Sequence, residues 1–366
     1  MVPAHGGREA EPVYRPILAS RRGELDALSH LDPTLALLLA PVIDVSPGDA
    51  GTVDALHRLP AGLLPAVDVS ALPDDAPGTE LARWGVPLVP VIGLAESERR
   101  LAAHGAAARA HAQRALVRLR LGTDRAGSDA ATAAVERIWR WTRLVPEQCD
   151  LLVDAADVCC RADLRLVEPR VRRLLDWARR HAWRSVSVAA GGMPPALSRL
   201  PTDEPVRLDR WDWLLWQGLA DLGVGYGDYG VHPAARDADQ TGDRLPTMRY
   251  TADGAWWIYR WSRRGGRGDD RFADLCRTLV AAPHWPVAGA AYSWGDHEIV
   301  RRARRSGGAG STSSWAAWCT SHHLAHVLTT LLAPAREAGP GPWRAGQPEA
   351  GRTARSNRGG AARRAG

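Results

Sequence analysis

Pro41-Val42-Ile43-Asp44-Val45 recurs almost unchanged as Pro65-Ala66-Val67-Asp68-Val69, and looser copies flank the pair, Pro16-Ile17-Leu18 before it and Pro90-Val91-Ile92-Gly93-Leu94 after it. The four prolines stand 25, 24 and 25 residues apart. Each run is short, apolar and rich in β-branched residues, with polar or Gly/Pro segments at both ends. That is the pattern of a parallel strand buried on both faces. The period leaves room for one strand, one short helix and two turns. Gly23–Leu31, Gly51–Leu59 and Thr79–Trp84 read as the intervening helices. Proline is awkward in a central strand, so the prolines are expected at strand starts.

Further along, Ala115–Leu121, Leu151–Asp154, Arg184–Ala190 and Gly223–Val231 read as strands, interleaved with helices Ser97–Gln113, Ala130–Leu144, Leu166–His181 and Leu208–Leu222. Eight strands alternating with helices predict an α/β fold of the (β/α)8 TIM-barrel-like type, with an open doubly wound α/β sheet as the alternative. Beyond residue 240 the rhythm changes. Met248–Thr251 and Trp256–Arg260 flank the hairpin signal Asp253-Gly254, and Asp269–Ala282 and Ser313–Leu332 read as helices. The expected organisation is a flexible N-terminus at 1–11 and a single barrel domain at 12–333. Within that domain, 12–239 holds the eight β/α units and 240–333 the hairpin and helical decoration. A disordered Arg/Gly/Ala/Pro-rich tail is expected at 334–366.

Composition removes several classes of chemistry. All 47 basic residues are arginine, so the amine needed for a pyridoxal phosphate Schiff base, or for the lysine of a Walker A loop, is missing. The formal charge is +6, but the tail from Pro334 to Gly366 holds seven Arg and two Glu, which leaves 40 Arg against 39 acids elsewhere. Nucleic acid is therefore an unlikely partner except through that tail. No apolar run is long enough to span a bilayer and no secretory h-region is visible, so a cytoplasmic protein without a membrane partner is expected. Five cysteines, with Cys159 and Cys160 adjacent, fit a reduced compartment better than a disulfide framework. Sixteen Trp against one Phe point to heavy core packing by indole.

In a barrel of this kind chemistry belongs at the C-terminal ends of the strands. There the sequence places Asp44, Asp68, Asp154 and Asp228 as candidate acid/base groups or divalent-metal ligands, with Arg118 and Arg120 on one strand face as anion clamps. The glycines after the last two strands, Gly191 and Gly192, then Gly227 and Gly230, are candidate phosphate-cradling positions. Gly225–Gly230 also matches G-x-G-x-x-G, but His232-Pro233 stands where a nucleotide-binding helix should open, so a dinucleotide site is rejected. Cys319, His322, His323 and His326 fall on one helix face, and Cys319, His322 and His326 form a candidate metal set although the Glu of H-E-x-x-H is missing. The ligand expected is small and anionic, carrying phosphate, and a phosphodiester hydrolase is the enzymatic version. The runner-up is a non-catalytic interaction protein with a protein partner.

Tyr14-x-Pro16-Ile17-Leu18, Gly23-Glu24-x-x-Ala27-Leu28, Pro41-Val42-Ile43-Asp44, the Gly225–Gly230 segment, and Arg249-Tyr250 ahead of Trp256-Trp257 together resemble the phage T4 beta-protein family over roughly residues 12–330. The family often carries Glu where Asp44 stands, so the shorter side chain is a departure. The resemblance implies a phage- or defence-linked setting and assigns no catalytic residue.

Overall fold

Three of the four repeated prolines stop one residue short of a strand. β1 (Ile17–Ala19), β2 (Val42–Asp44) and β3 (Ala66–Asp68) follow Pro16, Pro41 and Pro65 directly. A proline has no N–H to give, but its carbonyl still accepts. Val42 N donates to Pro16 O at 2.7 Å, Ala66 N to Pro41 O at 2.8 Å and Val89 N to Pro65 O at 2.9 Å. Each repeat thereby sets the register of the next. Pro90 is different, because it lies inside β4 (Val89–Gly93), opposite Val67.

The computed structural model describes residues 14–49, 51–122, 128–235, 245–262 and 268–333. The expected N-terminal segment 1–11 and tail 334–366 fall outside these, and the compact unit that carries the barrel ends at Leu331. The chain continues through β5 (Ala115–Arg120), β6 (Cys149–Asp157), β7 (Ser185–Gly191), β8 (Pro205–Asp209), β9 (Gly225–Asp228), β10 (Thr247–Ala252) and β11 (Ala255–Arg260). Eight strands form one parallel sheet in the order β1-β2-β3-β4-β5-β6-β7-β9. Its two edges meet. Tyr14 bridges to Tyr226, and Arg15 N donates to Tyr226 O at 2.9 Å. The sheet is therefore an α/β barrel of the (β/α)8 type, and the open doubly wound alternative is set aside.

Side-chain alternation sorts the strands into a lumen and an outer face. Ile17, Val42, Ala66, Val91, Leu116, Leu152 and Ala189 form the apolar plug inside. Their neighbours Leu18, Ile43 and Val67 pack outward against the early helices and the last one, and Val117, Leu151, Val153 and Val188 pack against helices Ser128–Thr142 and Arg161–Ala178.

Two local expectations fail for clear reasons. Thr79–Trp84 is not a helix: single 3-10 turns at Pro77–Thr79 and Leu81–Arg83 stand there, because Pro73, Pro77 and Gly78 interrupt any longer helix. The helix read as Leu208–Leu222 begins at Trp211, and the residues ahead of it form β8, whose half-buried Val206 and Leu208 alternate with exposed neighbours. β8 pairs antiparallel with β11, giving a second sheet in the order β10-β11-β8. The β10–β11 turn has Asp253 and Gly254 at φ +49° and +69°, the type I′ geometry that Asp-Gly favours. Helix Trp294–Ala303, absent from the sequence reading, carries Asp296, His297 and Glu298 in its first turns, with Ser293 as its cap. Among the described residues no helix is long and apolar enough to cross a membrane, and all five cysteines are free thiols.

Candidate functional site

β2, β3, β5 and β6 each end with a polar side chain turned into the lumen, just above the apolar plug. Arg118 lies at their centre, 2 % exposed. Its Nε donates to Asp154 Oδ2 at 2.9 Å. Nη1 donates to Asp44 Oδ1 at 2.6 Å and Asp68 Oδ2 at 2.9 Å, and Nη2 reaches Tyr229 Oη at 3.0 Å and Asp154 Oδ2 at 2.8 Å. Arg120, two residues on and on the same face, donates to Asp68 Oδ2 at 2.7 Å. The Tyr229 hydroxyl lies 2.7 Å from both oxygens of Asp154. Asp44, Asp68, Asp154, Arg118 and Arg120 thus meet at the mouth. Tyr229 completes the group and has no conspicuous signal in the sequence beyond its lumen parity with Gly227.

The electrostatics explain why so many charges can be buried together. Burial raises the Asp68 carboxyl, but the guanidiniums of Arg118 and Arg120 overcome it and bring it down to about 2. Burial, then the Asp154 carboxylate, push the Tyr229 phenol well above its ordinary range, so it remains a donor. The space between the carboxylates that a divalent ion would need is filled by the Arg118 guanidinium. Each of its three nitrogens donates to an acceptor and three carboxylates surround it, so it is a hub for carboxylates and not an anion clamp.

Asp228 does not join this group. Tyr229 faces the lumen, so Asp228 faces the other way, between the barrel wall and the outer layer, and is 1 % exposed. The expectation that Asp228 stands with the other carboxylates at the barrel mouth is corrected. Asp228 accepts from Tyr14 Oη at 2.6 Å, Gly230 N at 2.9 Å, Tyr226 Oη at 2.8 Å and Arg210 Nη2 at 3.1 Å, with His323 Nε2 at 2.8 Å. Arg210 also pairs with Asp212 at 2.7 Å and lies 4.9 Å from the centre of the Trp256 ring. Burial raises the Asp228 carboxyl, and His323, Arg210 and Tyr14 together bring it down to about 2. Thr251 Oγ1, His323 and Asp228 line up at 2.7 and 2.8 Å like a nucleophile triad, but Thr251 is fully buried. The group fastens Tyr14, ahead of β1, to Tyr226 and Asp228 on β9, so it holds the barrel seam.

The glycine and histidine candidates are likewise placed elsewhere than the sequence suggested. A Cβ on Gly191 would lie 2.8 Å from Asp157 Oδ1, and one on Gly192 would collide with the Asp212 carboxylate. Asp157 already takes the amides of Ala234 and Ala235, at 2.7 and 2.9 Å. Gly227 admits the Arg15 carbonyl, and Gly230 sits at φ +57° against Leu18. These glycines let protein atoms come close, and at Gly191 and Gly192 those atoms are carboxylate oxygens that repel an anion. Both ring nitrogens of His322 face protein oxygens, Nδ1 the Asp296 Oδ2 at 2.9 Å and Nε2 the Thr251 carbonyl at 2.8 Å, so neither is open to a metal. Cys319 Sγ accepts from Arg249 N at 3.3 Å, and burial pushes its thiol up to about 12. Cys319, His322 and His326 do not form a metal set, and no group of three or more metal-ligating side chains occurs among the described residues.

Fold and mouth together define an α/β barrel with a charged C-terminal mouth whose carboxylates and guanidiniums pair with one another. The beta-protein family model matches residues 14–329, and the chain belongs to that family. No curated protein matches the sequence. Among solved structures the chain is similar to the biosynthetic arginine decarboxylase of Campylobacter jejuni, at 12% identity and TM-score 0.36, over 88% of this chain and 56% of that one. It is also similar to triosephosphate isomerase of Bartonella henselae, at 14% identity and TM-score 0.33, over 58% of this chain and 90% of the isomerase.

Proposed function

We propose that this protein works by binding, taking a small anionic, phosphate-bearing ligand on the C-terminal side of a barrel that serves as a non-catalytic scaffold. The observation that supports a scaffold is the saturation of Arg118. A phosphodiester hydrolase built on Asp44, Asp68 and Asp154 needs carboxylates able to exchange a proton or hold a metal. Here the same oxygens accept from one guanidinium, and only Asp44 keeps a sizeable exposed fraction, 25%. In the phage- or defence-linked setting that the family resemblance implies, the same rim would face a protein partner.

The test is hydrolysis of bis(4-nitrophenyl) phosphate by purified full-length protein with magnesium or manganese. The expected rate is that of buffer, unchanged in Asp44→Asn. Metal-dependent turnover that Asp44→Asn abolishes would restore the hydrolase reading and remove the scaffold.

A further inference from the structure

Arg118 and Arg210 are each met by carboxylates, whereas Arg249, on β10, has no ion-pair partner among the described residues. Its Nε is buried without a hydrogen-bond acceptor, and Nη1 faces only His232 Nδ1, at 3.4 Å. A guanidinium can only donate, so His232 Nδ1 accepts. The ring then turns Nε2–H toward Glu24 Oε1, 3.7 Å away. Burial pushes the Arg249 guanidinium below its ordinary value although the Glu24 carboxylate acts the other way, and an arginine remains charged at neutral pH. Among the described residues no carboxylate pairs with that cation directly, as carboxylates do with Arg118 and Arg210.

Arg249 borders a cleft of about 560 Å3. Its floor comes from loops at the C-terminal ends of β1, β7 and β9, and β10 and β11 with the first turns of helix Thr312–Leu332 form the rest. Arg21 and Arg260 line it as well, and none of the described lining residues is Asp or Glu. Leu197, Leu245 and Trp315 add apolar lining. The volume falls in the range of roughly 300–1,000 Å3 usual for small organic ligands and well above what one inorganic phosphate fills.

Resting on the reading that an anion binds on the C-terminal side, we propose that its seat is this cleft and that the ligand is a phosphate monoester with an apolar body. The dianion sits against Arg249, whose planar fork suits two phosphate oxygens, and the organic group lies toward Trp315. Nothing at the Arg118 hub takes part.

The experiment titrates the full chain with phenyl phosphate, inorganic phosphate and phenol by calorimetry, alongside Arg249→Met, Arg249→Lys and Arg120→Gln. Phenyl phosphate should bind saturably and more tightly than inorganic phosphate, and phenol should not bind. Arg249→Met should weaken phenyl phosphate at least tenfold with little change in the unliganded thermal midpoint, because no direct ion pair among the described residues is broken. Arg249→Lys, which keeps the charge and loses the fork, should fall between and decides the matter should the Met variant not fold. Unchanged affinity in both Arg249 variants with loss in Arg120→Gln moves the anion to the barrel mouth: the cleft assignment then falls while the binding reading stands. No binding of either phosphate to the wild-type protein removes both.

Discussion

Arg118 is a single side chain on which three strands depend, since its N–H groups hold Asp44 of β2, Asp68 of β3 and Asp154 of β6. Replacing it with Met leaves Asp44 without its guanidinium and Asp68 and Asp154 with Arg120 alone as a cation, and removing one side of a buried pair costs about 3–5 kcal/mol. Denaturant midpoints of Arg118→Met should fall by that order, and a fall under about 1 kcal/mol would mean the carboxylates are neutral or hydrated instead. Acid provides a second test. Asp68 and Asp228 both titrate near 2 in the folded chain, below the ordinary carboxylate range. Groups depressed in this way stabilise the fold fully above the unfolded value, near pH 4, and that contribution is lost as pH drops toward 2. Each accounts for about 2 kcal/mol. The midpoint measured from pH 6 to pH 2 should therefore hold to about pH 4 and then decline, less steeply in Asp68→Asn than in the wild type.

At the scale of elements, parity along a strand separates what the sequence makes legible from what it hides. Asp44, Asp68, Arg118, Arg120 and Asp154 all sit at lumen positions near strand ends, so their convergence can be read from the repeat alone. Asp228 was placed with them by its position after a strand, yet β9 begins on the opposite phase: Gly225 and Gly227 face inward, and Tyr226 and Asp228 outward. Its partners Arg210 and His323 come from segments with no regular relation to the barrel period, so no spacing could have announced them. The stability expectation reverses with the placement. A solvent-reachable Asp228 would make Asp228→Asn neutral or stabilising. The sealed one should lose about 3–5 kcal/mol as Arg210 loses half of its carboxylate pairing. The last helix carries a related consequence. His322→Ala should lower the thermal midpoint by removing the Asp296 and Thr251 contacts, while elemental analysis shows the same metal content as wild type. Stoichiometric zinc lost on that substitution would reinstate a metal site.

For the whole molecule, the barrel was legible because its repeat is nearly regular, whereas β8 and helix Trp294–Ala303 were missed because each is a short element set by tertiary pairing rather than by period. The cationic cleft was hidden for a similar reason, since Arg249 and Arg260 come from the β10–β11 hairpin and Arg21 from the loop after β1, more than 200 positions earlier in the chain. Truncation after Ala333 should leave the thermal midpoint within about a degree, because few apolar side chains follow. A loss of several degrees would show that the tail docks. The seam has a consequence during synthesis. Tyr14 and Asp228, which it joins, are 214 positions apart. At about 5–20 residues/s a ribosome needs roughly 10–40 s to make that span. For that interval the nascent chain carries an unpaired parallel edge at β1, and through its second half Arg118 is already made with Tyr229 still to come. An edge of that kind pairs readily with another chain, so polysomes translating this message, with several half-made barrels side by side, are where its misassembly would begin.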